Sequence, residues 1–298
     1  LSPEAILNAP DAAPVAPKNT DPEKRILGRA TALAIEGHRS RAVKTLLQEV
    51  VPAIPDDELV ARLQLLHPQR HDSVPLTTIP CANKVELPSA VLDTVKRMCD
   101  GKSAGPSGWT EELVRDSMCA ANAHQWHCLF EDIVYSTLGE AAWVLLRRST
   151  LIGIPKKPVG ARPIAIGETL VKIACKLLFE ANPQIRGVEA VGADQHAFRP
   201  AGTEYIVHTT RQLLRANPGM CAVLVDCTNA FNCAKRSAAV ARINSEDTFA
   251  VLRPIFQNLY ATPGELLVST KTSDVECAVI MSSEGVRQGD VLGPLLFC

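Results

Sequence analysis

Cys221-Ala-Val-Leu-Val-Asp226-Cys-Thr-Asn-Ala-Phe-Asn232 decides how this chain is read. The run 221–225 is apolar on both faces, which predicts a central strand covered on both sides of a sheet. Asp226 stands where that strand ends. A carboxylate there needs a reason, because an unpaired charge beside a buried strand is costly. One reason is a divalent cation. Magnesium takes hard oxygen ligands, one or two carboxylates plus substrate phosphate oxygens. Asp226 can supply such an oxygen and the Cys227 carbonyl another. The alternative is an Asp that caps a helix or sits in a salt bridge.

Upstream, Thr150–Ile154 and Arg162–Ile166 read as two short strands, with Pro155, Lys156, Lys157, Pro158 and Gly160 as a basic hairpin tip between them. Lys156 and Arg162 lie on opposite sides of that turn, so both can reach one triphosphate. Lysine brings a compact charge and arginine a two-pronged donor fork. Downstream, strands over 264–270 and 275–281 flank a turn at Thr272-Ser-Asp274 and run into Gly285-Val-Arg-Gln-Gly-Asp290. There Gln288 offers a two-ended hydrogen-bonding side chain beside Gly289, whose backbone can be approached closely. A cation-binding Asp, a phosphate clamp and a Gln-Gly turn together point to nucleotidyl transfer.

Around these blocks the spacing predicts amphipathic helices over about 40–50, 57–66, 88–99, 168–180 and 202–216. Residues 1–39 read as a linker or disordered lead-in, five of the first 22 being proline. Lys102-Ser-Ala-Gly-Pro-Ser-Gly108 is a glycine-rich loop before a helix near Thr110; it either brings backbone amides to a phosphate or forms a tight turn. Helices alternating with buried strands make this an α/β (α+β) fold.

The chain has 298 residues, 46% hydrophobic and 21% charged, as expected of a globular protein and not of a disordered or fibrous one. No apolar run reaches the ~18 residues of a membrane helix, so membrane insertion is not expected; secretion is not expected either, on the cysteine usage. The apolar run Val291–Cys298 at its end reads as a fragment boundary, and the missing initiator Met as another. Ten cysteines with no Cys-x-x-Cys pair read as reduced thiols, several of them buried. Cys119, His124, His127 and Cys128 match no familiar zinc spacing and read as ordinary helix residues. The net charge of −1 is uneven: residues 147–215 hold eleven basic and five acidic side chains. Such an excess suits a polyanion.

Six blocks, in order, resemble the reverse transcriptase of non-LTR (LINE-type) retrotransposons, particularly a lineage common in protists. They are Leu66-His-Pro68 with Lys102–Trp109, Ile154-Pro-Lys-Lys157, Arg162-Pro-Ile164, Gln195–Glu204 with His208, Val225–Asn232, and Gly285–Phe297. The resemblance covers roughly residues 40–298 and implies a right-hand polymerase: a helical N-terminal extension over 40–146, fingers over 147–215 and a partial, truncated palm over 216–298. It implies that Asp226 binds two catalytic Mg²⁺ ions, Cys227 lending its carbonyl. Lys156 and Arg162 would hold the incoming triphosphate. Phe231 would be the steric gate against a ribose 2′-hydroxyl, and Gln288 and Gly289 would support nucleotide and template. The implied partners are an RNA template, a DNA primer and deoxynucleoside triphosphates, in the nucleus or cytoplasm.

The family's Tyr/Phe-x-Asp-Asp block, which follows later in its members, is absent, and Asn232 and Ser107 stand where many relatives have Asp. One carboxylate of three predicts that this chain alone does not polymerise. A non-catalytic RNA-binding remnant of a decayed element is the alternative function. A generic Mg²⁺-dependent nucleotidyltransferase fits the ordered blocks less well.

Overall fold

The computed structural model describes residues 22–35, 37, 39–46, 56–81, 86–88, 91–98, 102–156, 160–269 and 277–298. The chain divides into two compact units, Leu1–Val51 and Pro52–Cys298. In the first, helices α1 (Pro22–Ile35) and α2 (Arg39–Leu46) pack on each other. α1 falls inside the expected lead-in: Pro22 occupies the first helical position, where its missing N–H costs nothing, and nine of the next thirteen residues are neither Gly nor β-branched.

The second unit opens with α3 (Asp57–Leu65). Asp56 caps it by accepting from the Leu59 N–H at 2.7 Å, and Leu59 and Leu63 are its buried face. α4 (Val91–Lys96), α5 (Glu111–Ser117), α6 (Ala123–Val134) and α7 (Glu140–Leu146) follow. The expected hairpin is β1 (Ser149–Pro155) paired antiparallel with β2 (Ala161–Gly167); residues 157–159 of its tip lie outside the described residues. α8 (Thr169–Ala181) carries the long apolar stripe read from sequence. α9 (Gly202–Ala216), α10 (Arg236–Ser245), α11 (Arg253–Leu259), β3 (Gly264–Ser269) and β4 (Cys277–Ser282) complete the main elements. The turn at Thr272–Asp274 lies outside the described residues.

One mixed sheet has the order β2-β1-β3-β4, with β1 and β3 parallel and both outer pairs antiparallel. Alternate residues point inward, and Leu151, Ala165, Leu266, Val268 and Ile280 close against Leu59 and Leu63 of α3. Leu59 explains Gly153: a Cβ there would lie 3.0 Å from Leu59 Cδ1. The larger core gathers α6, α8, α10 and α11 around Phe130, Trp143, Ile173, Leu177 and Phe256. The fold is α+β, as the alternating pattern predicted.

Other expectations are overturned. Residues 221–225 form no strand. They are extended and exposed, with Leu224 at 95% and Val225 at 84%, and among the described residues no backbone hydrogen bond joins 221–227 to another segment. An apolar run becomes a strand only when neighbours take up its N–H and C=O groups, and no described strand lies beside it. The stripe of α9 is likewise present but uncovered, with Ile206, Val207 and Leu213 exposed. Of the nine described cysteines, all free thiols, only Cys175 is fully buried.

Candidate nucleotide and metal site

The described residues draw most of the predicted site together. A cleft of about 840 Å³ is lined by Lys156, Gly160 and Arg162 from the hairpin, by Val225–Asn232, by Gln288, and by the C-terminal end of α3. The hairpin is set by the Lys156 N–H donating to the Gly160 carbonyl at 2.9 Å. Arg162 and Lys156 are exposed into the cleft, and Arg62 adds a third cation, paired with Glu58 one turn away on α3. Asp226 is the single acidic side chain among the described residues of the lining. Three cations against one carboxylate favour a polyanionic ligand.

Asp226 neither caps a helix nor joins a salt bridge; among the described residues its carboxylate has no hydrogen-bond or ionic partner. It is also exposed, so burial is not what calls for a cation there. What points to a cation is geometry: among the described residues, a carboxylate without a partner shares a cleft with two cations, Lys156 and Arg162, that have no acidic partner either. The exposed Asp226 oxygens and Cys227 carbonyl are hard donors of the type Mg²⁺ takes, with remaining positions left to water and phosphate. Among the described residues no group of three or more His, Cys, Asp or Glu side chains is placed to hold a metal. That statement includes Cys119, His124, His127 and Cys128, of which only His124 and Cys128 touch.

The turn after Asp226 is held from outside. Asn229 adopts a left-handed conformation (φ 54°), which asparagine tolerates well. Its side-chain amide donates to the Leu66 carbonyl at 2.7 Å, and the buried Asn232 amide donates to the same oxygen at 3.0 Å. Asn232 also donates to Asn229 Oδ1 at 3.0 Å. The Leu66-His-Pro68 block thus hangs the Asp226 turn from the end of α3. His67 turns inward beside it, its Nδ1 hydrogen-bonded to the Leu63 carbonyl at 2.7 Å; burial lowers its pKa and keeps the ring neutral. Phe231 is half-buried, its ring stacked on Phe297 with centroids 4.8 Å apart, and its carbonyl accepts from the Val286 N–H.

Gln288 faces the cleft, whereas Gly289 does not line it. Gly289 (φ 113°) lies so close to β2 that a Cβ would sit 2.7 Å from the Ala165 carbonyl, while the Ala165 N–H donates to the Gln288 carbonyl at 2.8 Å. Its contribution is backbone contact. Beneath this turn lies a set of buried groups that sequence reasoning missed. Arg236 donates to the carbonyls of Gly285, Tyr260 and Ser282, and its backbone N–H donates to Glu284. Burial, with Arg287 nearby, lowers its pKa to about 10. The Tyr260 hydroxyl donates to Asp290, and burial followed by that carboxylate pushes the phenol well up. A lone Arg opening a helix reads as solvent-facing, so no sequence signal marked it.

The glycine-rich loop is a tight docked turn. Ser107 donates from both N–H and hydroxyl to Glu168, and a Cβ on Gly105 would lie 2.7 Å from the Gly167 carbonyl. The Ser107 amide is therefore spent inside the protein, as is that of Gly108, which donates to the Gly105 carbonyl at 3.1 Å.

No protein-family model matches the chain. It is 27% identical over 225 residues to the retrotransposable element SLACS 132 kDa protein of Trypanosoma brucei gambiense. The match takes in 73% of this chain and 18% of that protein, so the chain spans less than a fifth of its relative's length. The chain is thus distantly similar to a retrotransposon-encoded protein. Among the described residues, no helix is long and apolar enough to cross a membrane.

Proposed function

We propose that this chain is the nucleotide-binding part of a retrotransposon reverse transcriptase, an RNA-directed DNA polymerase working on an RNA template and a DNA primer. The observation that carries the reading is the convergence of Lys156, Arg162, Asp226, Phe231 and Gln288, from three separate stretches of sequence, on one cleft. Arg162 and Lys156 would grip the triphosphate, Arg162 through paired donors. Phe231, held flat by Phe297, would close the sugar side of the cleft against a 2′-hydroxyl. Gln288, fixed by its carbonyl bond to β2, would hold the nucleotide in place. Asp226 and the Cys227 carbonyl would hold Mg²⁺, which when bound stabilises charge on the transferring phosphoryl group. With a single carboxylate among the described residues of the cleft, the 298-residue chain is expected to bind nucleotide without extending a primer.

Binding of a fluorescent deoxynucleoside triphosphate to this chain tests the reading. Mg²⁺ should strengthen binding, and Asp226→Ala should remove that Mg²⁺ dependence. Arg162→Ala should weaken nucleotide binding by about tenfold, the ~1.4 kcal/mol of a charge-assisted contact, and leave RNA binding nearly intact. Absence of nucleotide binding, or equal losses for nucleotide and RNA, would sink the assignment. The RNA-binding remnant differs from it on the first of these measurements.

A further inference from the structure

A second cationic cleft lies outside the candidate site, between α4, α8, the start of the glycine-rich loop and the 3₁₀ turn Pro183–Arg186. About 220 Å³ in volume, it is lined by Arg97, Lys102, Lys176 and Arg186, with Glu180 the one acid among the described residues of its wall. These four cations come from four separate segments. Lys102 and Lys176 share one buried carboxylate, Glu111, at 3.1 and 3.6 Å. Arg97 pairs with Glu180 at 3.0 Å. Arg186 has no acidic partner among the described residues; its guanidinium lies 4.7 Å over the Phe179 ring, which fixes its place without neutralising it. Among the described residues, two carboxylates thus serve four cations. Like charges gathered this way repel each other unless an anion enters. Phe179 is itself buried, so the cleft offers no ring face to a base and addresses phosphate alone.

We infer that this cleft seats the sugar–phosphate backbone of a single RNA strand, away from the nucleotide cleft. The choice of RNA among polyanions rests on the proposed function; the phosphate chemistry does not. Charge contacts of this type release counterions, so affinity should fall with salt by about 0.7 in log–log slope for each cation engaged.

The test is anisotropy of a labelled mixed-sequence single-stranded RNA against the 298-residue chain over a salt series. The double variant Arg97→Gln with Arg186→Gln spares the pair on Glu111 and should retain the fold, checked by its melting curve. It should weaken binding and shallow the slope by about 1.4. Glu180→Gln, which removes the acid, should tighten binding. The paired change Arg148→Gln with Arg242→Gln alters net charge equally elsewhere and should have less effect. An unchanged slope in the cleft variant, or the same loss in the second pair, would overturn the inference. So would full competition by polyglutamate, which would reassign the cleft to an acidic protein. Nucleotide binding is read separately: if it fails while the cleft variants behave as expected, the polymerase reading falls and the phosphate cleft stands.

Discussion

Asn232 shows how much a single amide can decide. Its two donors face the Leu66 carbonyl and Asn229 Oδ1, both acceptors, in a buried position. Aspartate, the residue many relatives of the resembled family carry there, would turn an acceptor toward two acceptors. Asn232→Asp is expected to cost about 2–3 kcal/mol in urea unfolding, the penalty of buried groups left unpaired. Glu168 titrates in the opposite sense from most surface carboxylates. Burial, the largest cause, raises its pKa above the usual 4.5 despite two hydrogen bonds from Ser107. The folded state therefore holds the proton more tightly than the unfolded one. Its contribution is fully present below 4.5 and is lost as pH rises through the raised value. Glu168→Gln, which can still pair with Ser107, should flatten the rise in melting temperature on acidification from neutral pH. An unaltered pH profile would exclude Glu168 as its source.

At the scale of elements, the Gln288-Gly289 turn is fastened to β2 by one close backbone approach. Gly289→Ala would need both a positive φ and room that the Ala165 carbonyl occupies. A loss of about 2 kcal/mol in thermal stability is expected, together with weaker nucleotide binding as Gln288 moves; binding without change would separate the turn from the site. Elements with a local signature were legible. α9 runs from 202 to 216 as its spacing predicted, and the helices expected from about 57 and near Thr110 are capped by Asp56 and Thr110. The hairpin flanking Lys156 and Arg162 was equally plain, because alternation and turn residues act over a few positions. The 221–225 run misled for a physical reason: apolarity records a need for cover, and pairing depends on partners that local sequence does not name. The contacts of Arg236 and of Leu66 span tens to more than a hundred positions, and nothing near either residue advertises them.

At the scale of the whole molecule, two apolar stretches are left uncovered. Val223, Leu224 and Val225 lie open in extended backbone, and Ile206, Val207 and Leu213 are exposed on α9. Extended apolar backbone with free N–H and C=O groups is a template for pairing with another chain. The isolated protein is expected to self-associate as concentration rises, and Leu224→Lys should raise the monomeric fraction in light scattering. Equal scattering from both proteins would place the sticky surface elsewhere. The parallel contact of β1 with β3 governs a different property, the speed of reaching the native state. Each hairpin can zip up locally, but the seam between them joins distant stretches, with the Arg148–Glu265 pair across it 117 positions apart. Closing a loop of that length costs about 4 kcal/mol of chain entropy before any seam contact forms. Refolding should therefore proceed through early, separate hairpins and a late joining step, and an engineered short bridge between β1 and β3 should accelerate it.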